Sequence, residues 1–129
     1  QRPVFLISDE PYRRICFAED GVPSVFAAWQ HTFVTTSFSK DLSIPGERIG
    51  YAALHPAMQG KEEVAAGLAM CMRNLGYVNA PAFMQHLVPE MLSLSVDTGI
   101  YRRRRDLLCS ALSEAGYFRW WIVGGGELR

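Results

Sequence analysis

Apolar positions fall into short unbroken runs in the first half of the chain and into spaced stripes in the second. Val4-Phe5-Leu6-Ile7-Ser8 is a continuous apolar run closed by an acid, Asp9. A run without alternation predicts a strand covered on both faces, as in a parallel sheet. Residues 32–38, Thr-Phe-Val-Thr-Thr-Ser-Phe, are β-branched and aromatic and predict a second strand. Residues 48–54 predict a third, set off by the turn pair Pro45-Gly46. The rhythm then becomes helical. Pro56 suits a first helical turn, and residues 62–72 follow with Gly67 as the one weak position. Residues 76–81 interrupt, and 82–95 predict another helix, which Pro89 should kink or divide. Asp97 is the expected N-cap of a third helix, with Ile100, Leu107, Leu108, Ala111 and Leu112 on one stripe and Gly116 as its stop. Residues 118–123 have strand character and run into Gly124-Gly125-Gly126.

Strands followed by helices, with no internal repeat and no upstream partner for the first strand, predict a piece of a larger α/β protein, cut at both ends. Composition agrees with a soluble globular chain: of 129 residues 49% are apolar and 20% charged. Thirteen basic and thirteen acidic residues cancel, so nothing in the charge balance asks for nucleic acid or an anionic membrane as partner. No basic leader precedes a long apolar segment, and no stretch is long enough to span a bilayer. Cys16, Cys71 and Cys109 are odd in number and far apart, which predicts buried thiols in a reducing cytoplasm rather than disulfides or a zinc site. His31, His55 and His86 are scattered and read as structural, so no metal is expected.

The chemistry gathers in residues 37–50, Ser-Phe-Ser-Lys-Asp-Leu-Ser-Ile-Pro-Gly-Glu-Arg-Ile-Gly. Hydroxyls and a planar guanidinium are what a phosphate dianion needs, since Arg supplies two parallel charge-assisted bonds. An amine beside them, Lys40, is the group that condenses with an aldehyde. Lysine is scarce here: Lys40 and Lys61 stand against eleven arginines, and Lys61 opens a helix where a solvated side chain is expected. An imine-forming lysine in this chain is therefore Lys40. The second piece is Ser8-Asp9-Glu10-Pro11-Tyr12. An acid at the carboxyl end of a buried parallel strand sits where open α/β sheets bind ligands, and a carboxylate can keep a pyridine nitrogen protonated. Pro11 forces a turn that can bring the Tyr12 phenol back towards the same place.

Asp-Glu-Pro-Tyr after an apolar strand, then Ser-x-Ser-Lys and Gly-x-Arg-x-Gly, resembles the class I and II aminotransferases of pyridoxal-phosphate (PLP) fold type I. The likeness runs from about Val4 to Tyr117 and includes residues 76–81, similar to a family loop near the cofactor and the subunit interface. Either motif alone is common; together, in this order, with Arg48 eight positions beyond Lys40, they are hard to reach by accident. The resemblance implies that Asp9 pairs with the pyridine nitrogen, Tyr12 bonds the 3-oxygen, Lys40 forms the imine with the cofactor, and Ser37 and Arg48 bind its phosphate. Ser39 lies in the motif with a variable role. Gly46 and Gly50 are the motif's turn and close-approach positions.

The implied fold is α/β: part of the fold type I large domain, a mainly parallel sheet with flanking helices, in residues 1–96, with residues 97–129 as linking helix and start of the small domain. The implied activity is PLP-dependent transfer of an amino group between an amino acid and a 2-oxo acid, by a cytoplasmic homodimer. Carbon–sulfur β-lyases use the same constellation and stay open as an alternative, as does a gene fragment without catalysis. The family's glycine-containing phosphate loop, stacking aromatic and Asn-Pro loop would precede Gln1, and its α-carboxylate arginine would follow Arg129, so these residues are not expected to work as an enzyme alone. Residues 118–129 do not resemble the family. Arg102-Arg103-Arg104-Arg105 reads as a solvated helix face, and Met70, Met72, Met84 and Met91 as core filling.

Overall fold

A computed structural model describes residues 4–117. Three strands form one sheet in the order β1-β2-β3. β1 spans Leu6–Asp9, β2 Thr32–Ser37 and β3 Gly50–Leu54. β1 and β2 are parallel, with Asp9 opposite Thr35; β2 and β3 are antiparallel, with Ser37 opposite Gly50. The sheet is thus mixed, one parallel pair and one antiparallel. The crossover from β1 to β2 carries a 3-10 turn at Val25–Ala27 instead of a helix. A single helical turn, α1 (Phe38–Asp41), follows β2 directly, and the helices α2 (Lys61–Asn74), α3 (Ala82–Met91) and α4 (Thr98–Glu114) complete the described chain.

The core is small and lies beneath α1. Phe38, Ile49, Met84 and Val88 are buried together, with Leu42, Ile44 and Ala80 packed against them. Phe38 is 7% exposed while Lys40, two residues on, faces out, so the turn's one large apolar side chain fixes which way the amine points. Thr32, fully buried, donates its hydroxyl to the Trp29 carbonyl at 2.6 Å and anchors the start of β2. Asp97 caps α4 as expected, accepting from Gly99 N at 2.8 Å, and Gly116 ends the helix region at φ 81°.

Several expectations are corrected. β1 is not covered on both faces: Ile7 is 61% exposed, because β2 flanks one edge and little among the described residues covers the faces. Pro56 lies before α2 rather than in its first turn; the helix starts at Lys61 behind Gly60, which takes φ 70°. α3 stops at Met91, two residues past Pro89, whose ring nitrogen cannot donate to the helix, rather than reaching Ser95. The stripe of α4 is amphipathic in sequence but unburied, with Leu107 74% exposed. Of the methionines proposed for the core, Met84 is buried and Met70 and Met72 are exposed. The thiols are not buried either: Cys71 is exposed and Cys16 and Cys109 half-buried. Two members of the arginine run are engaged rather than simply solvated. Arg102 donates to the Phe17 carbonyl at 3.0 Å, and the Arg105 guanidinium lies 4.6 Å from the centre of the Phe17 ring. The strand expected at 118–123 lies outside the described residues. No helix among them is long and apolar enough to cross a membrane.

Candidate functional site

Parallel pairing builds the first part of the site. Asp9 ends β1 level with Thr35, whose hydroxyl donates to Asp9 Oδ1 at 3.1 Å. The ladder runs one residue further, from Glu10 N to the Thr35 carbonyl at 2.8 Å, and Thr36 Oγ1 donates to the Glu10 carbonyl at 3.0 Å. Glu10 accepts from Ser8 Oγ at 2.9 Å and from Arg13 Nη1 at 3.0 Å, so its carboxylate braces the turn. Beyond Pro11 the chain bends back, with Arg13 N bonded to the Glu10 carbonyl and Ile15 N to that of Tyr12.

The second part follows β2. Ser37 is the N-cap of α1, its hydroxyl accepting from Ser39 N at 3.2 Å; its own proton stays available to a ligand. Phe38 N bonds to the Ile49 carbonyl at 3.2 Å, tying the Lys40 turn to the chain that carries Arg48. Arg48 sits in the left-handed region at φ 50° and donates from Nη1 to the Pro45 carbonyl at 2.8 Å, and the other donors of its exposed fork have no partner among the described residues. Gly50 is required by sterics: a Cβ there would meet the Thr36 carbonyl oxygen well inside contact distance. Gly46, by contrast, faces open space.

The two parts meet at Tyr12 and Lys40. The Lys40 Nζ lies 5.5 Å from the centre of the Tyr12 ring, and among the described residues it makes no hydrogen bond or ion pair. Tyr12 lines two cavities. One, about 550 Å3, also holds Asp9; the other, about 530 Å3, holds Lys40, Ser39, Tyr101 and Arg105. Asp9, Tyr12, Lys40 and Ser39 therefore converge on adjoining space, while Ser37 and Arg48 lie outside both cavities and are linked to it through the antiparallel register. A carboxylate, a phenol and an amine around this space, with a hydroxyl and a guanidinium in the segments just beyond it, suit a ligand that carries an anionic group, an electrophilic carbon and a basic ring atom. No group of three or more His, Cys, Asp or Glu suited to a metal occurs among the described residues. Thr35, as the partner of Asp9, and the ion pair of Arg14 with Asp41 were not foreseen; both depend on strand register and turn geometry, which no local motif encodes.

Residues 1–126 match the family model for aminotransferase class I and II, so the match takes in most of the tail that the residue-level likeness does not reach. AatC of Rhizobium meliloti, named as an aminotransferase, is 32% identical over 124 residues, covering 88% of this chain and 28% of its own length. The methionine aminotransferase of Escherichia coli is 31% identical over 121 residues, 87% of this chain and 29% of that protein. A crystal structure of an aminotransferase from Eubacterium rectale superimposes with a TM-score of 0.85 at 40% identity, over 91% of this chain and 29% of that one. The chain thus spans between a quarter and a third of the length of these relatives. It belongs to the class I and II aminotransferases.

Proposed function

We propose that this chain is the central part of a PLP-dependent aminotransferase that exchanges an amino group between an amino acid and a 2-oxo acid. The observation that carries the reading is the Lys40 turn: an exposed amine beside the Tyr12 ring, without an ion-pair partner among the described residues, held outward by buried Phe38 and flanked by the Ser37 hydroxyl. PLP bound there supplies an electron-withdrawing ring that takes up charge when a proton leaves the substrate Cα. Lys40 Nζ would hold the cofactor through its aldehyde group and, when free, would take a proton from the substrate Cα and return it as general base and then acid. The Asp9 carboxylate, oriented by Thr35, keeps the proton on the ring nitrogen. The Tyr12 phenol is directed to the 3-oxygen, and Ser37, Arg48 and, more peripherally, Ser39 bind phosphate. Residues 1–96 belong to the large cofactor domain and 97–129 lead into the small one, in a cytoplasmic homodimer.

Borohydride reduction of the full-length protein with PLP, followed by peptide mapping, should mark Lys40. Lys61 already donates from Nζ to the Pro56 carbonyl at 3.0 Å, and a label there instead would refute the assignment. The relatives include a 1-aminocyclopropane-1-carboxylate synthase of Malus domestica, 29% identical over 88% of this chain and 26% of its own length, so this segment is compatible with more than one reaction. Turnover that depends on an added 2-oxo acid supports the aminotransferase; release of pyruvate and ammonia without one supports the β-lyase.

A further inference from the structure

We propose that Arg14 and Asp41 form a positioning pair that sets the Tyr12 ring against Lys40. Each stands beside a residue of the candidate site: Arg14 two positions after Tyr12, and Asp41 next to Lys40. They meet across 27 residues of chain, Arg14 Nη1 to Asp41 Oδ2 at 3.5 Å. Among the described residues no other charged group on the Tyr12 turn pairs with α1. Arg13, its neighbour, is spent on Glu10 and on the carbonyls of Val22 and Pro23, and so braces the turn against its own loop.

Asp41 is an unusual residue to find where it is. It is 7% exposed, its Oδ1 has no partner among the described residues, and it faces a cavity of about 410 Å3 lined also by Glu10, Arg14, Thr36 and Tyr51. A buried carboxylate with a half-satisfied head is costly, and a turn of one helical cycle does not need one for its own stability. Its carbonyl also accepts from Val96 N at 2.8 Å, so the residue is held by its backbone while its side chain reaches towards Arg14. Attraction between the two charges draws the loop carrying Tyr12 onto the turn carrying Lys40, and low exposure on the Asp41 side keeps solvent from screening it fully. Neither residue lines the cavities that hold Asp9 and Lys40, so the pair acts through Tyr12 and Lys40.

This inference rests on the PLP reading, and the test separates the two. In the full-length protein, PLP uptake and the induced circular dichroism of the bound cofactor, which reports how the ring is held, are compared for wild type, Arg14→Met, Asp41→Asn and the double variant, with melting of the apo-protein as the check on folding. Each single variant should weaken PLP uptake by about tenfold, the scale expected when a supporting partner of a binding residue is lost, and should diminish the induced signal. The double variant should be no worse than either single one, because the two act as a unit. Singles that hold PLP with the wild-type signal, or losses that simply add in the double variant, overturn the pair. If Asp41→Asn does not fold, Arg14→Met decides alone, since its side chain is 38% exposed: an unchanged cofactor signal overturns the proposal, and a diminished one restored in Arg14→Lys supports it. Wild-type protein that takes up no PLP on Lys40 refutes the earlier reading instead.

Discussion

Replacing Gly50 by alanine adds a methyl group between β3 and the end of β2. The new Cβ would stand well under 3.0 Å from the Thr36 carbonyl oxygen, 3.0 Å from Ser37 Cα and 3.2 Å from Ser37 Cβ, where ordinary contact begins at 3.4 Å. All the crowded atoms belong to the backbone or its first side-chain carbon, so no flexible tip can swing away, and the strands must part by roughly 1 Å, at a cost of about 1–3 kcal/mol. The displaced residues are Thr36 and Ser37, immediately before the Lys40 turn, and a shift of about 1 Å near reacting groups can lower turnover about a hundredfold. Gly67 is the control for the same substitution. It lies within α2, and beyond the helix's own backbone nothing among the described residues comes within 4 Å of its would-be Cβ, so Gly67→Ala should stabilise by about 0.5–1 kcal/mol through helix propensity alone. Urea unfolding of the two full-length variants should therefore differ by about 1.5–4 kcal/mol, with opposite signs relative to wild type. If Gly50→Ala unfolds with the wild type and keeps its PLP affinity, the close approach of β3 to β2 is not what holds the Lys40 turn.

Two further outcomes are expected. Asp9→Asn keeps an oxygen for the Thr35 hydroxyl, so the fold and PLP uptake should persist while most turnover disappears; near-normal turnover would show that Asp9 does not hold the ring proton. Asp97→Ala removes the bond to Gly99 N and should cost about 1 kcal/mol, with hydrogen exchange of the first α4 amides rising first; unchanged exchange there would mean the cap contributes little.

The parts of the molecule that were legible in advance are those whose signals are local. Asp97 and Gly116 bound a helix by cap chemistry that acts within a few residues, and the three strands stand close to where the apolar run, the β-branched and aromatic run and the segment after the Pro45-Gly46 turn put them, β3 starting at Gly50 rather than Arg48. Gly50 was identified as a close-approach position from its motif, and its reason emerges as the Thr36 carbonyl. What escaped was set by register or by coverage. Thr35 supports Asp9 only because the parallel pairing puts them level, and Arg14 finds Asp41 only after two turns have folded towards each other. The apolar run of β1 and the stripe of α4 signal burial that the described residues alone do not provide, which is why Ile7 and Leu107 stand exposed. The run Arg102 to Arg105 looked like plain solvent-facing charge because its attraction to Phe17, far away in sequence, has no local trace.

The hydrogen bond from Val96 N to the Asp41 carbonyl joins the Lys40 turn to the lead-in of α4 through main-chain atoms at both ends. Such a joint is indifferent to the identity of the side chains that flank it. Divergence among relatives can rewrite positions 41 and 96 without cutting it, so two descendants can share the connection while showing no residue in common there. An alanine scan passes over it silently for the same reason. Of the twenty encoded residues, only proline at position 96 would sever it, by removing the donor itself.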